Sequence, residues 1–161
     1  MILIVLSYII LMAYIMYAVR ICGVPVALSD TYYQLKKRGC PAWLFQFTMI
    51  ASSALMIPIW IEVSTEDVQF LAFLSCSGLM FVGSAPLFKI SPERNIHIVG
   101  TIVAWLSSLL WVTRMGYWTM PIVLLSAASI YGVYTRKTVF WLEMAAFAWS
   151  YICVLSSLID Q

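Results

Sequence analysis

Six long runs of uncharged or nearly uncharged residues dominate this chain of 161 residues. They cover residues 1–19, 42–61, 68–88, 95–113, 115–135 and 138–159. Each run is close to the ~20 apolar residues that a helix needs to cross the hydrocarbon core of a bilayer. None alternates apolar and polar residues as the strands of a membrane β-barrel do. The pattern therefore predicts an all-α integral membrane protein in which residues 1–161 form a single domain of six transmembrane helices.

The composition excludes a soluble protein. Hydrophobic residues make up 63% of the chain and charged residues only 10%, whereas soluble domains contain about 25% charged residues. A chain of this length would bury one modest core in water and could not hide so much apolar surface. A cytosolic enzyme, a secreted module and a disordered segment are therefore excluded as classes.

Basic residues are concentrated in alternate connections between the runs. Eight of the nine lie on one side: Arg20, Lys36, Lys37, Arg38, Lys89, Arg94, Arg136 and Lys137. The connections on the other side carry one basic and four acidic residues: Arg114, Glu62, Glu66, Asp67 and Asp160. By the positive-inside rule the first side is cytoplasmic, so both termini are expected outside. We expect a multi-pass protein of the plasma (inner) membrane whose partner is the lipid bilayer and not nucleic acid.

The connection of residues 20–41 is the only one long enough to hold structure of its own. Ser29 is placed to cap a helix, while Gly39 and Pro41 are placed to end it. The sequence therefore predicts a short interfacial helix over residues 29–38 at the cytoplasmic surface. Three basic residues end this helix: Lys36, Lys37 and Arg38. We interpret them as contacts for anionic lipid headgroups, with a role in setting topology alone as the alternative.

Two ionisable side chains lie inside the apolar runs, namely His97 and Glu143. Each follows its expected helix start by five or six residues, roughly 7–9 Å, so both lie at a similar depth. Asp30 and Lys89 flank the same layer. Charges in a membrane should face protein or water, so we expect these four residues to form a ligand-binding or proton-responsive cluster, with His97 and Glu143 in contact directly or through water. The alternative is a structural ion pair between Glu143 and Lys89 or Arg94, with His97 bonded to a nearby carbonyl.

Enzyme motifs are absent from the sequence. A single histidine excludes a three-histidine zinc site, and the HExxH, Walker A and GxSxG patterns do not occur. We therefore expect no metal and no cofactor. Two catalytic arrangements remain as hypotheses without support from spacing: a serine, Ser84 or Ser29, paired with His97, and a metal site of Asp30, His97 and Glu143.

Small residues recur at helical spacing in the fourth run, where Gly100, Ala104 and Ser108 stand four residues apart. Such a stripe lets helices approach closely, either inside the bundle or between two copies of the chain. We therefore keep a homo-oligomer formed through these residues as an expectation beside plain packing.

The leading functional hypothesis follows from the polar residues within the spans. We expect a small membrane protein that binds or conducts a small solute or ion through a polar layer in its cytoplasmic half. One alternative is a membrane-embedded enzyme that modifies lipids. The other is a structural or regulatory membrane partner.

Overall fold

The computed structural model describes residues 1–160, and this part of the chain is helical with no strand. The seven helices are α1 (Ile2–Cys22), α2 (Asp30–Lys37), α3 (Trp43–Glu62), α4 (Gln69–Ser84), α5 (Glu93–Arg114), α6 (Thr119–Thr135) and α7 (Thr138–Ile159). Four of them, α1, α3, α5 and α7, are long and apolar enough to cross a membrane, while α4 and α6 are shorter apolar helices. The predicted all-α class is confirmed, and the four long helices support a multi-pass membrane protein.

The helices run alternately between two ends of the bundle. At the end that carries α2, called here the α2 end, the backbone N–H of Phe140 in α7 donates to the carbonyl of Val26, which follows α1, at 3.0 Å. At the opposite end, called here the far end, Arg114 of α5 lies 2.9 Å from Asp67, which precedes α4. Helices α4 and α6 connect the same two ends, although at 1.5 Å per residue they are only roughly 24 and 26 Å long.

Helix α4 ends earlier than the sequence predicts. The apolar run continues to residue 88, but the helix stops at Ser84. Pro86 explains this end, because proline has no N–H to donate and disfavours helical geometry in the residue before it. The carbonyl of Ala85 is thereby released from the helical hydrogen-bond pattern and is available to a side chain.

The short helix α2 begins and ends close to the predicted bounds. Its first residue is Asp30, although the hydroxyl of Ser29 does not cap it. Gly39 adopts a φ of +70°, and the N–H groups of Gly39 and Cys40 donate to the carbonyls of Lys36 and Leu35 at 3.2 and 2.9 Å. This is the Schellman arrangement, which glycine favours because a positive φ costs it little.

Helices α4 and α5 meet through their backbones. A Cβ added to Gly78 would lie 2.6 Å from the carbonyl oxygen of Gly100 and 2.7 Å from the nitrogen of Ala104. Gly100, Ala104 and Ser108 are all buried in the bundle. The small residues predicted as a stripe thus lie inside this chain, where the first two permit the close approach of α4.

Candidate functional site

A cavity of about 90 Å³ lies inside the bundle, between α3, α4, α5 and α7. Six serine and threonine side chains from these helices lie on its lining: Ser52, Ser53, Ser75, Thr101, Ser108 and Ser150. The lining runs from Glu143 at the α2 end to Trp60, two residues before the end of α3 at the far end. The polar lining therefore extends beyond the half of the bundle in which the sequence placed it.

Most of these hydroxyl groups already donate their hydrogen to a hydrogen bond within the protein. Five of the six donate to backbone carbonyls at 2.6–3.1 Å: Ser52 to Thr48, Ser75 to Ala104, Thr101 to His97, Ser108 to Trp105 and Ser150 to Ala146. A hydroxyl has one hydrogen and two acceptor lone pairs. Each of these oxygens can therefore still accept but has no hydrogen left to donate, so these side chains place acceptors on a wall that is otherwise mainly apolar.

Two side chains on the cavity wall lack a hydrogen-bond partner within residues 1–160. They are the hydroxyl of Ser53 and the indole N–H of Trp60, and each residue is only 2% exposed. A buried polar group without a partner costs about 1–3 kcal/mol. A guest in the cavity would recover this free energy by accepting from Trp60 and by donating to, or accepting from, Ser53.

The carboxylate of Glu143 lies at the α2 end of the cavity. Its Oε2 accepts a hydrogen bond from the backbone N–H of Leu28 at 2.6 Å, and no other hydrogen bond to it forms among the described residues. Glu143 therefore holds the segment before α2 against α7, next to the contact between Phe140 and Val26. It also leaves acceptor lone pairs free toward the cavity.

His97 does not contact Glu143. Its Nδ1 lies 3.2 Å from the carbonyl oxygen of Ala85, so this nitrogen must carry the hydrogen that it donates. The ring stacks on Phe88 with 4.8 Å between centroids. The two ionisable residues share no direct hydrogen bond within residues 1–160. His97 instead satisfies the carbonyl that the early end of α4 releases, as the alternative arrangement expected.

The remaining members of the predicted cluster form a surface contact of their own. The ammonium of Lys89 lies 3.6 Å from the carboxylate of Asp30 and 4.6 Å from the centroid of the Tyr33 ring. Neither ion pair within residues 1–160 involves Glu143 or Arg94. His97, Glu143, Asp30 and Lys89 therefore lie near the start of α2 and make separate direct contacts there.

Within residues 1–160 the structure does not join the residues of either catalytic hypothesis. The hydroxyl of Ser84 donates to the carbonyl of Met80 at 2.8 Å, and neither Ser84 nor Ser29 bonds to His97 in the described part of the chain. No group of three His, Cys, Asp or Glu residues within residues 1–160 is placed to hold a metal ion. No protein-family model, curated protein or solved structure matches this chain.

Proposed function

We propose that this membrane protein binds and conducts a small cation or a small solute with hydrogen-bond donors. The observation that carries the proposal is the lining of the cavity, where five hydroxyl oxygens can only accept and Glu143 adds a carboxylate. Oxygen atoms that can accept hydrogen bonds suit ammonium cations and N–H groups. For an anion the cavity offers, within residues 1–160, only the unpaired indole N–H of Trp60 and the hydroxyl of Ser53.

The size and direction of the cavity support the same function. A volume of about 90 Å³ has room for several water molecules or one small solute. The lining extends from Glu143 near the α2 end to Trp60 near the far end, with serine and threonine hydroxyls at intervals between apolar side chains.

We also propose a six-span topology for the chain. Helices α4 and α6 connect the same two ends as the four long helices, which supports six spans. The α2 end carries eight of the nine basic residues and would be cytoplasmic by the positive-inside rule, with both termini outside. A plasma (inner) membrane location rests on this same charge asymmetry.

The basic cluster at the end of α2 is proposed to contact the inner leaflet. Lys36, Lys37 and Arg38 are all exposed, and neither ion pair within residues 1–160 uses them. Basic side chains near a membrane surface attract anionic headgroups, with about 1 kcal/mol for each residue. The fully buried Leu35 fixes α2 to the bundle, so these three side chains would face the headgroups.

The two alternatives have less support. A lipid-modifying enzyme would need a nucleophile beside a base, and Ser84 and Ser29 are both apart from His97. A homo-oligomer through Gly100, Ala104 and Ser108 would need an exposed stripe, whereas these residues are buried beneath neighbouring helices.

Radiolabelled methylammonium, a small cation with three N–H donors, tests the proposal. We expect saturable binding to the purified protein in phosphatidylcholine nanodiscs. Replacement Ser150→Ala should weaken binding roughly fivefold, because one hydrogen bond contributes about 1 kcal/mol. Ser84→Ala is the matched control, since this serine also bonds to its own helix but does not line the cavity. Equal loss in both variants, or no saturable binding by the unaltered protein, would reject the proposal.

A further inference from the structure

Two unpaired polar groups of the internal cavity, called here the serine-lined cavity, lie on the same face of α3. Ser53 and Trp60 are seven residues apart, which is close to two turns of helix. Both residues line the cavity and both are only 2% exposed. Neither the hydroxyl nor the indole N–H has a hydrogen-bond partner within residues 1–160. A partner for either group must therefore come from the space beside it, which is the cavity.

Both groups differ from comparable side chains in the same bundle. The hydroxyl of the neighbouring Ser52 donates to the carbonyl one turn earlier in α3 at 2.6 Å, whereas Ser53 makes no bond of this kind among the described residues. The indole N–H groups of Trp111 and Trp149 donate to serine hydroxyls at 2.7 and 3.3 Å. Buried polar groups in folded proteins are paired with protein or with ordered water. Ser53 and Trp60 therefore mark a place where bound water is expected.

Acceptor oxygens on the facing helices lie at depths between these two groups. At 1.5 Å per residue, Trp60 is roughly 3 Å and Ser53 roughly 14 Å from the far end of α3. Ser75, six residues after the start of α4, and Ser108, six residues before the end of α5, are each roughly 9 Å from the same end of the bundle. Both hydroxyls already donate to backbone carbonyls, so both can only accept. A molecule that accepts from Trp60 can thus donate to these oxygens.

The size and the apolar walls of this half of the cavity restrict its occupant. The lining between the polar groups includes the apolar side chains of Met56, Cys76 and Ala104. Water needs two to four polar partners and leaves a purely apolar cavity dry, so the hydroxyl and indole groups determine where it binds. A volume of about 90 Å³ holds roughly three water molecules at about 30 Å³ each. Three waters joined by hydrogen bonds of about 2.8 Å span roughly 11 Å, which matches the separation of Ser53 and Trp60 along α3.

We propose that the half of the cavity between Ser53 and Trp60 is a hydration site that binds a short file of water molecules. At one end the file accepts from the indole N–H of Trp60, and at the other it is bonded to the hydroxyl of Ser53. Along its length it donates to the oxygens of Ser75 and Ser108. This inference goes beyond the proposed function, because the file is bound with or without a guest. For a conducted cation, the file would provide solvation in the half of the cavity that is farther from Glu143.

X-ray radiolysis of the unaltered protein in detergent, followed by mass spectrometry, tests the site. Radiolysis converts bound water into hydroxyl radicals, which oxidise the side chains beside it. Trp60 and Trp111 form a matched pair, since they are 2% and 0% exposed but only the first of the two lines the cavity. We expect Trp60 to be oxidised about tenfold faster than Trp111, because bound water lies beside it. Slow and equal oxidation of both would overturn the proposal and would leave the indole N–H of Trp60 facing the ring of Trp111.

A pair of variants at Ser53 tests the other end of the file. Ser53→Thr and Ser53→Val have nearly the same shape, and only the first keeps a hydroxyl. We expect oxidation of Trp60 to be about threefold slower in Ser53→Val than in Ser53→Thr, because the water file loses one of its polar partners. Equal rates in the two variants would contradict a file that ends at Ser53.

The outcomes also separate this inference from the proposed function. Fast oxidation of Trp60 in a protein that does not bind methylammonium would support the hydration site and reject the proposed function. Methylammonium binding by a protein in which Trp60 and Trp111 are oxidised equally slowly would overturn the hydration site and leave the proposed function standing.

Discussion

The side chain of Glu143 accepts a hydrogen bond from the backbone N–H of Leu28 at 2.6 Å, across 115 residues of sequence. This contact joins the segment before α2 to the second turn of α7. It places the one acid found deep in an apolar run at the boundary between the cavity and the α2 end. The same residue thus fixes a local structure and contributes a carboxyl group to the candidate site.

Loss of this contact should destabilise the fold by a predictable amount. Glu143→Ala leaves the partly buried N–H of Leu28 without its acceptor, which should lower the free energy of unfolding by about 1–3 kcal/mol. Glu143→Gln should cost less, because the amide oxygen can accept the same bond. Thermal unfolding in detergent measures both, and Glu93→Ala is the control at the same end of the bundle. Equal stabilities for the Ala and Gln variants would contradict a structural role for this bond.

The sequence predicted most of the helices because long apolar runs and end signals are local. Glycine's tolerance of positive φ predicted that Gly39 would stop α2. The structure confirms this, since α2 ends at Lys37 and Gly39 has a positive φ. No direct hydrogen bond joins His97 and Glu143 within residues 1–160, because equal depth along two helices does not determine which way each side chain points. The freed carbonyl of Ala85 provided a nearer partner for His97.

The cavity itself could not be found from the sequence. Glu143 and Ser150 are seven residues apart and therefore share a face of α7. The other hydroxyls come from three further helices, and only the packed bundle brings Ser52, Ser75 and Ser108 together. Whether a serine hydrogen is used within its own helix is likewise a property of the folded chain.

The close approach of α4 and α5 predicts a severe effect at Gly78. In Gly78→Ala the new Cβ would lie 2.6 Å from the carbonyl oxygen of Gly100, so the two backbones must separate. Overpacking of this kind costs about 1–3 kcal/mol. The melting temperature in detergent should fall accordingly, while exposed Ser84→Ala in the same helix should change it little. An unaltered melting temperature for Gly78→Ala would show that the helices are not in backbone contact.

The far end of the bundle should lose stability in acid. A hydrogen bond from Thr65 and the nearby Arg114 lower the pKa of Asp67 below its usual 3.8. Because the pKa is lower in the folded state, the stabilisation is present above pH 3.8 and is lost as the pH falls through the folded value. The difference in melting temperature between the unaltered protein and Asp67→Asn should thus be constant near neutral pH and shrink below about pH 4. Glu66→Gln, which removes an acid outside this ion pair, should not show this pattern.

Six spans predict a definite pattern of surface labelling. Cysteines introduced at Glu66 and Met115 should react with a membrane-impermeant maleimide on intact cells, because both connections lie at the far end. Cysteines at Lys37 and Lys137 should react only after the membrane is permeabilised. Reaction at position 137 on intact cells would show that α6 or α7 does not cross, and would replace the six-span topology with another.

Equilibrium binding of methylammonium to Glu143→Gln tests the central claim most directly. The variant keeps the acceptor for Leu28 but replaces the carboxyl group at the cavity with a neutral amide. Hydrogen bonds to charged groups contribute about 1.5–3 kcal/mol, so the dissociation constant should rise at least tenfold in nanodiscs, while Glu93→Gln at the same end should bind as the unaltered protein does. Unchanged affinity in a folded Glu143→Gln protein would contradict a cation site in the serine-lined cavity.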